Sequence, residues 1–179
     1  GYSRIRVTSA EIRIRPLELA DLIKLREFEC SSGLEWEALV EGQIRGPLPR
    51  RYLTAPLEAG ARALVGENSL GEILVVGAHH IEPAFEQDIG YIEVVAVAKA
   101  GQGSRVVLAA GEVVTLGELM MFALFRDLVA AGRHRRTFAR IDKRNTRSLT
   151  LCDRVGLTDE RSDLHDEGLV QRWGTLPEG

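Results

Sequence analysis

The chain is poor in the residues that cross-link a protein or anchor it in a membrane. Its 179 residues hold only two cysteines, Cys30 and Cys152, far apart and without metal-ligand spacing. That excludes a disulfide scaffold and a zinc module, and it reads as two reduced thiols of a cytoplasmic protein. No apolar run approaches the roughly 18–20 residues that cross a bilayer, and no signal peptide is visible, so no membrane partner is expected. Aromatic residues make up 6%, and there is no repeat, low-complexity tract or interdomain linker. An excess of one charge sign is also missing: 23 Lys and Arg stand against 26 Asp and Glu, for a net charge of −3. The totals therefore give no global nucleic-acid signal. The chain opens on Gly1 and not Met, which reads as a processed or added end.

What is present is a globular composition, 45% hydrophobic and 27% charged, at a length that fits a single domain over residues 1–179. The most informative stretch is Tyr91–Gly132. Tyr91-Ile-Glu-Val-Val-Ala-Val-Ala98 is β-branched and almost wholly apolar, as in a central strand covered on both faces. A period of two puts Tyr91, Glu93, Val95 and Val97 on one face and Ile92, Val94, Ala96 and Ala98 on the other. Glu93 is then a lone carboxylate in a buried pattern. A glycine loop, Lys99-Ala-Gly-Gln-Gly-Ser-Arg105, follows the strand.

A long helix comes next. Thr115 and Glu118 form a T-x-x-E capping box, and Gly132 stands where a left-handed residue ends a helix. Leu116, Leu119, Met120, Ala123, Leu124, Leu128 and Ala131 make one apolar stripe between them. Free N–H groups and the positive dipole end at such a helix mouth suit an anion such as a phosphate.

In chain order, Glu11–Arg15 alternates as a half-exposed strand that Pro16 stops. Leu19, Leu22, Ile23 and Leu25 predict a first helix running to Phe28, with Asp21 in its acidic first turn. Leu34, Trp36, Leu39, Val40 and Ile44 predict a second, closed by Gly46-Pro-Leu-Pro49. Arg62–Gly66 and Glu72–His80 read as a hairpin, and 83–88 is a connection. Thr137–Ile141 is a strand, and Asn145 caps a short helix with Ser148, Leu151, Cys152 and Val155 on one stripe, ended by Gly156. Asp159–Glu167 reads as an acidic surface loop and Leu169–Trp173 as an edge strand. His79 and His80 alternate, one ring inward and one outward, with no third metal ligand at a sensible spacing, so no metal is expected.

This order of elements, with Asn145-Thr-Arg-Ser-Leu-Thr-Leu-Cys-Asp-Arg-Val-Gly-Leu157, resembles the GNAT superfamily of acyl-CoA-dependent N-acetyltransferases. The segment follows N-x-x-[AS]-x-x-L-Y-x-x-x-G-[FL] except at Cys152. Ile14-Arg-Pro16 and Ala20-Asp-Leu22 also look like the family's opening. The resemblance, over residues 11–173, implies an α/β domain with a mixed, strongly twisted sheet flanked by helices, its fourth and fifth strands splayed apart. It implies transfer of an acetyl group from acetyl-CoA to a primary amine of a small molecule or protein. By the resemblance Val95, Ala96 and Val97 face the pantetheine arm, and Asn145 and Ser148 lie beside it.

The family's pyrophosphate loop, [QR]-x-x-G-x-[GA], has two candidates. One is Ala100–Arg105, with Gly101 and Gly103. The other is Glu112–Gly117, with Thr115, Leu116 and Gly117, which makes 101–111 an insertion. Glu93 is the family-like candidate for general base, against an ion pair with an arginine. Cys152 stands where the family places the tyrosine that reprotonates the departing thiolate; a small buried packing group is its other reading, and the favoured one.

Arg133, Arg135, Arg136, Arg140, Lys143, Arg144 and Arg147, against the single acid Asp142, read mostly as a solvated surface balanced by the 159–167 acids. Lys143 and Arg147 are kept as phosphate candidates. A nucleic-acid patch is the rival, and it lacks interleaved aromatics. A catalytically impaired acyl-CoA-binding or sensing module of the same fold is the alternative function, and a homodimer stays open.

Overall fold

The structure is a computed structural model that describes residues 6–8, 11–54, 61–81, 89–132 and 136–176, the first of these for the backbone alone. Arg133, Arg135 and the connection 83–88 fall outside them. Seven strands form one sheet: β2 (Arg13–Pro16), β3 (Arg62–Glu67), β4 (Ile73–His80), β5 (Ile89–Val97), β8 (Arg136–Asp142), β10 (Leu169–Thr175) and β9 (Asp159–Ser162), in that spatial order. Every neighbouring pair is antiparallel except β5 and β8. The mixed sheet between helices agrees with the expectation. Two details at its far end do not. Leu169–Trp173 is not an edge strand, because Asp159–Ser162 pairs outside it as β9. The acidic segment is therefore half strand, and Asp163 after it is buried and accepts from Arg140 Nε at 2.9 Å.

The helices divide the core in two. On one face α4 (Leu116–Ala130) and α5 (Thr146–Val155) lay Met120, Leu124, Leu128 and Cys152 against Val75, Ile92, Val95 and Val97. On the other face α1 (Asp21–Leu25), α2 (Glu35–Arg45) and α3 (Pro47–Thr54) lay Leu25, Ile44, Leu48 and Tyr52 against Val76, Ala78, Val94, Ala96 and Ala98. A period of two separates Ile92 from Val95 and Val97, yet all three share the α4 face. The cause is a bulge. Ala78 pairs with Val94 and His79 with Ile92, so Glu93 is the extra residue and the alternation restarts after it. Glu93 thus faces α3, with Tyr91, Val94 and Ala96 and away from Val95 and Val97, which corrects the expected faces.

The helices before the hairpin depart most from the periodic reading. Within α1 and just before it, Ile23 and Leu19 are exposed while Leu25 is buried. The helix after Gly46 was not expected. α2 ends at Arg45, before Gly46, as expected, and Pro47 and Pro49 lie in the first turn of α3, where a missing N–H breaks no helical bond. Asp21 is more than a dipole complement. It is 1% exposed and bonded to both terminal nitrogens of Arg15 at 2.8 Å, and Glu67 takes the rest of that guanidinium at 3.1 Å.

Residues 101–115 form a small unit of their own. A 3-10 turn (Lys99–Gly101) leads into β6 (Arg105–Val107), which pairs antiparallel with β7 (Val113–Thr115) and parallel with β1 (Arg6–Thr8). Thr115 then caps α4, its hydroxyl accepting the Glu118 N–H at 3.1 Å, while the Glu118 carboxylate meets Arg154. Gly132, at φ 81°, ends that helix as expected.

Candidate active site

The sheet opens at its centre. β5 and β8 pair only from Ile89–Arg136 to Ile92–Ala139, although β5 runs on to Val97 and β8 to Asp142. Past Ile92 the β8-side edge of β5 has no strand beside it among the described residues. A cavity of about 480 Å³ lies there. Val95, Ala96 and Val97 line it from the strand, and Asn145, Thr146, Arg147 and Ser148 from the first turn of α5. Thr115, Leu116 and Gly117 line it from the first turn of α4, and Gly101, Gln102, Gly103 and Ser104 from the loop. Cys30, Glu37 and Val40 close the side towards α2.

Two helix N-termini therefore meet at one cavity, and each brings N–H groups and the positive end of its dipole. Asn145 shows how its side chain is shared. Its Oδ1 accepts the Ser148 N–H at 3.1 Å, which caps α5 and leaves the amide nitrogen for other partners. Both expected phosphate loops line the cavity. The β6–β7 hairpin pairs Arg105 with Thr115, so Gly101–Ser104 and Thr115–Gly117 lie on the same cavity wall.

Several solved structures share the fold. The GNAT domain of PAT from S. lividans superposes with a TM-score of 0.67 at 15% identity, over 92% of this chain and 90% of that one. The chain has the GNAT fold. The acetyltransferase of the GNAT family from Streptococcus pneumoniae gives a TM-score of 0.58 at 16% identity, covering 93% of this chain and 100% of that one. The ribosomal-protein-S18-alanine N-acetyltransferase from Escherichia coli gives 0.58 at 14%, covering 94% and 96%. No protein-family model matches the chain, and no curated protein sequence does.

Within this GNAT fold the cavity gathers Val95, Ala96, Val97, Gly101, Gly103, Thr115, Leu116, Gly117, Asn145 and Ser148 from the sequence reading. Glu93 and Cys152 do not line it. The Glu93 carboxylate is held by Arg51 and by the Tyr52 hydroxyl at 2.5 Å, with His80 Nε2 3.6 Å away. Burial first, and then that carboxylate, push the Tyr52 phenol up, so it stays a donor. Cys152 is 1% exposed among the core residues of α4 and β5, and burial raises its thiol to about 11.

His79 is the inward ring, buried on the α4 face with Nε2 2.5 Å from Asp127 Oδ2; His80 is the outer one. No cluster of three metal-ligating side chains forms among the described residues, and no helix there is long and apolar enough to cross a membrane. Of the basic segment Arg147 lines the cavity, while Lys143 does not. Arg144 is clasped by Asp142 at 2.9 Å and lies over the Trp36 ring.

Glu37 and Gln102 were missed as individual residues. Gln102 Nε2 donates to Val97 O at 3.1 Å and Cys30 O at 3.2 Å, tying the α1–α2 loop to the strand end. Neither has a sequence signal, because each acts through a contact across the fold.

Proposed function

We propose that the protein is an N-acyltransferase that moves an acyl group, in the first instance acetyl from acetyl-CoA, to a primary amine of a small molecule or protein. The observation that carries this reading is the cavity at the β5–β8 divergence, walled by an unpaired strand edge and two helix first turns. Leu116 and Gly117 in the first turn of α4, Arg147 in that of α5 and Gly103 of the loop offer N–H groups to the phosphates of CoA. The edge at Val95–Val97 takes the amide-bearing pantetheine arm as an added strand, which sets the thioester at the mouth of the splay. Two of the solved structures above are named acetyltransferases, which supports the same reading.

In the reaction the amine nitrogen attacks the thioester carbon, the C–S bond breaks, and the thiol departs as the amide forms. Holding both partners in one cavity contributes the proximity. Glu93 is bonded to Arg51 and Tyr52 off the cavity wall and has no proton step; the proton the amine loses passes through solvent to the departing thiolate. Cys152 has no step here; it packs.

Isothermal titration with acetyl-CoA tests the reading, and absence of binding at millimolar ligand overturns it. Thiol release over an amine panel then separates an enzyme from a module that only binds. Asn145→Asp sharpens the placement of the ligand. The aspartate keeps the cap of α5, so thermal stability stays near the parent's, but it sets a carboxylate beside a polyanion. Acetyl-CoA affinity is expected to fall by about tenfold, equivalent to about 1.4 kcal/mol. Unchanged affinity would reduce Asn145 to a cap.

A further inference from the structure

Among its described lining residues the cavity has one acid, Glu37. It stands in the first turn of α2, one turn ahead of Glu41 on the same helix face. The two carboxylates are used differently. Glu41 is engaged at both oxygens: Oε2 accepts the Cys30 and Ser31 N–H groups at 2.9 Å each, and Oε1 lies 3.3 Å from Arg45. Its task is to hold the α1–α2 loop. Glu37 accepts from the Ser32 hydroxyl through Oε1 at 2.7 Å, while Oε2 stands 3.8 Å from Arg147 Nη1, too far for a hydrogen bond. The Glu37 side chain is 13% exposed, whereas that of Arg147 is 67% exposed and well solvated. An enclosed carboxylate with one oxygen lacking a close donor is costly unless a cation comes to it.

Charge divides the cavity into two ends. Where Gly101–Ser104 and the α4 first turn meet, the helix dipole and N–H groups favour an anion. At the α2 wall Glu37 repels an anion and favours a cation. The other acid near the splay, Glu93, is already bonded to Arg51 and Tyr52 and lies off the cavity wall.

We infer that Glu37 is a specificity-determining residue that binds an organic ammonium group at the α2 wall, so that the acceptor carries a cationic group besides the neutral amine that attacks the thioester. The word acceptor rests on the acyl-transfer reading; the cation site itself rests on Glu37 and the cavity. Arg147 is the group the incoming ammonium displaces from the carboxylate, and its exposure makes that displacement easy. The ammonium donates to Glu37 Oε2, and the Ser32 hydroxyl keeps the carboxylate oriented. An anionic amine is disfavoured at this wall.

Calorimetric titration of the full chain with 1,4-diaminobutane, and with uncharged 1,4-butanediol, tests this. The parent is expected to bind the diamine and not the diol. Glu37→Gln keeps the shape and the Ser32 contact but loses the charge, and it should weaken the diamine by at least about tenfold. Glu35→Gln, an exposed acid of the same turn, should change it by no more than about twofold. Equal weakening in the two variants, unchanged binding in Glu37→Gln, or no diamine binding by the parent up to about 50 mM overturns the inference.

Acetyl-CoA is titrated into the same samples. If it binds the parent and Glu37→Gln alike, the variant is folded and the diamine result reports the acid alone. If acetyl-CoA fails to bind while diamine binding still depends on Glu37, the acyl-transfer reading falls and the cation site stands.

Discussion

Asp21→Ala is expected to destabilise the protein by about 3 kcal/mol, the lower end of what breaking a buried ion pair costs. Asp21 is 1% exposed, bonds both terminal nitrogens of Arg15, and also accepts the Glu18 N–H at 2.8 Å. Its removal leaves a guanidinium whose side chain is 10% exposed with Glu67 still hydrogen-bonded and Glu18 3.9 Å away, and those surviving partners keep the loss from being larger. For a chain of this size the melting temperature should drop by about 6–12 °C.

The pair also sets an acid dependence. Hydrogen bonds from Arg15 hold the Asp21 and Glu67 carboxyls below their ordinary range. A depressed folded-state pKa contributes stability above the unfolded value, near pH 4, and loses it as pH falls through the folded one. Urea denaturation at pH 7 and pH 3 should therefore show a smaller acid loss in Asp21→Asn than in the parent. Equal losses would mean that the triad does not govern acid stability.

Gly117→Asp is expected to weaken acetyl-CoA binding by about a hundredfold, or about 2.7 kcal/mol, while leaving the fold intact. Gly117 lies in the first turn of α4 on the cavity wall. The nearest atom to a Cβ built there is Leu151 Cδ2 at 3.4 Å, an ordinary contact, so a side chain is accommodated. A carboxylate in a helix first turn stabilises the helix by about 0.3–1 kcal/mol, so stability and binding should move in opposite directions. The same charge competes for the N–H groups proposed to bind phosphate. Gly117→Ala separates bulk from charge: it should bind acetyl-CoA within about threefold of the parent if space is not limiting. Equal loss in both variants would show that the aspartate acts by bulk, and no loss in either would move the phosphates away from α4.

What the sequence alone determined lies where neighbours in the chain decide the structure. Thr115 and Asn145 cap α4 and α5 through residues three positions on, and Gly132 and Gly156 stop them because the left-handed conformation is open to glycine. The hairpin, the central strand and the Asn145–Leu157 segment could be read for the same reason, and with them most of the cavity lining. α3 shows the limit of local signals. Proline both closes and opens helices, and only the first bond, Arg50 N–H to Gly46 O, decides which.

The tertiary structure decided everything that depends on register or on long-range pairing. The bulge at Glu93 arises from how β5 pairs with β4, and one extra residue turns the candidate base towards Arg51 and Tyr52 instead of towards Val95 and Val97. The 101–104 and 115–117 segments reach the same cavity because β6 pairs with β7. Glu37 and Glu41 are the same residue type on one helix face, and nothing local separates them. Folding of the α1–α2 loop gave Glu41 two backbone N–H donors and left Glu37 facing the cavity.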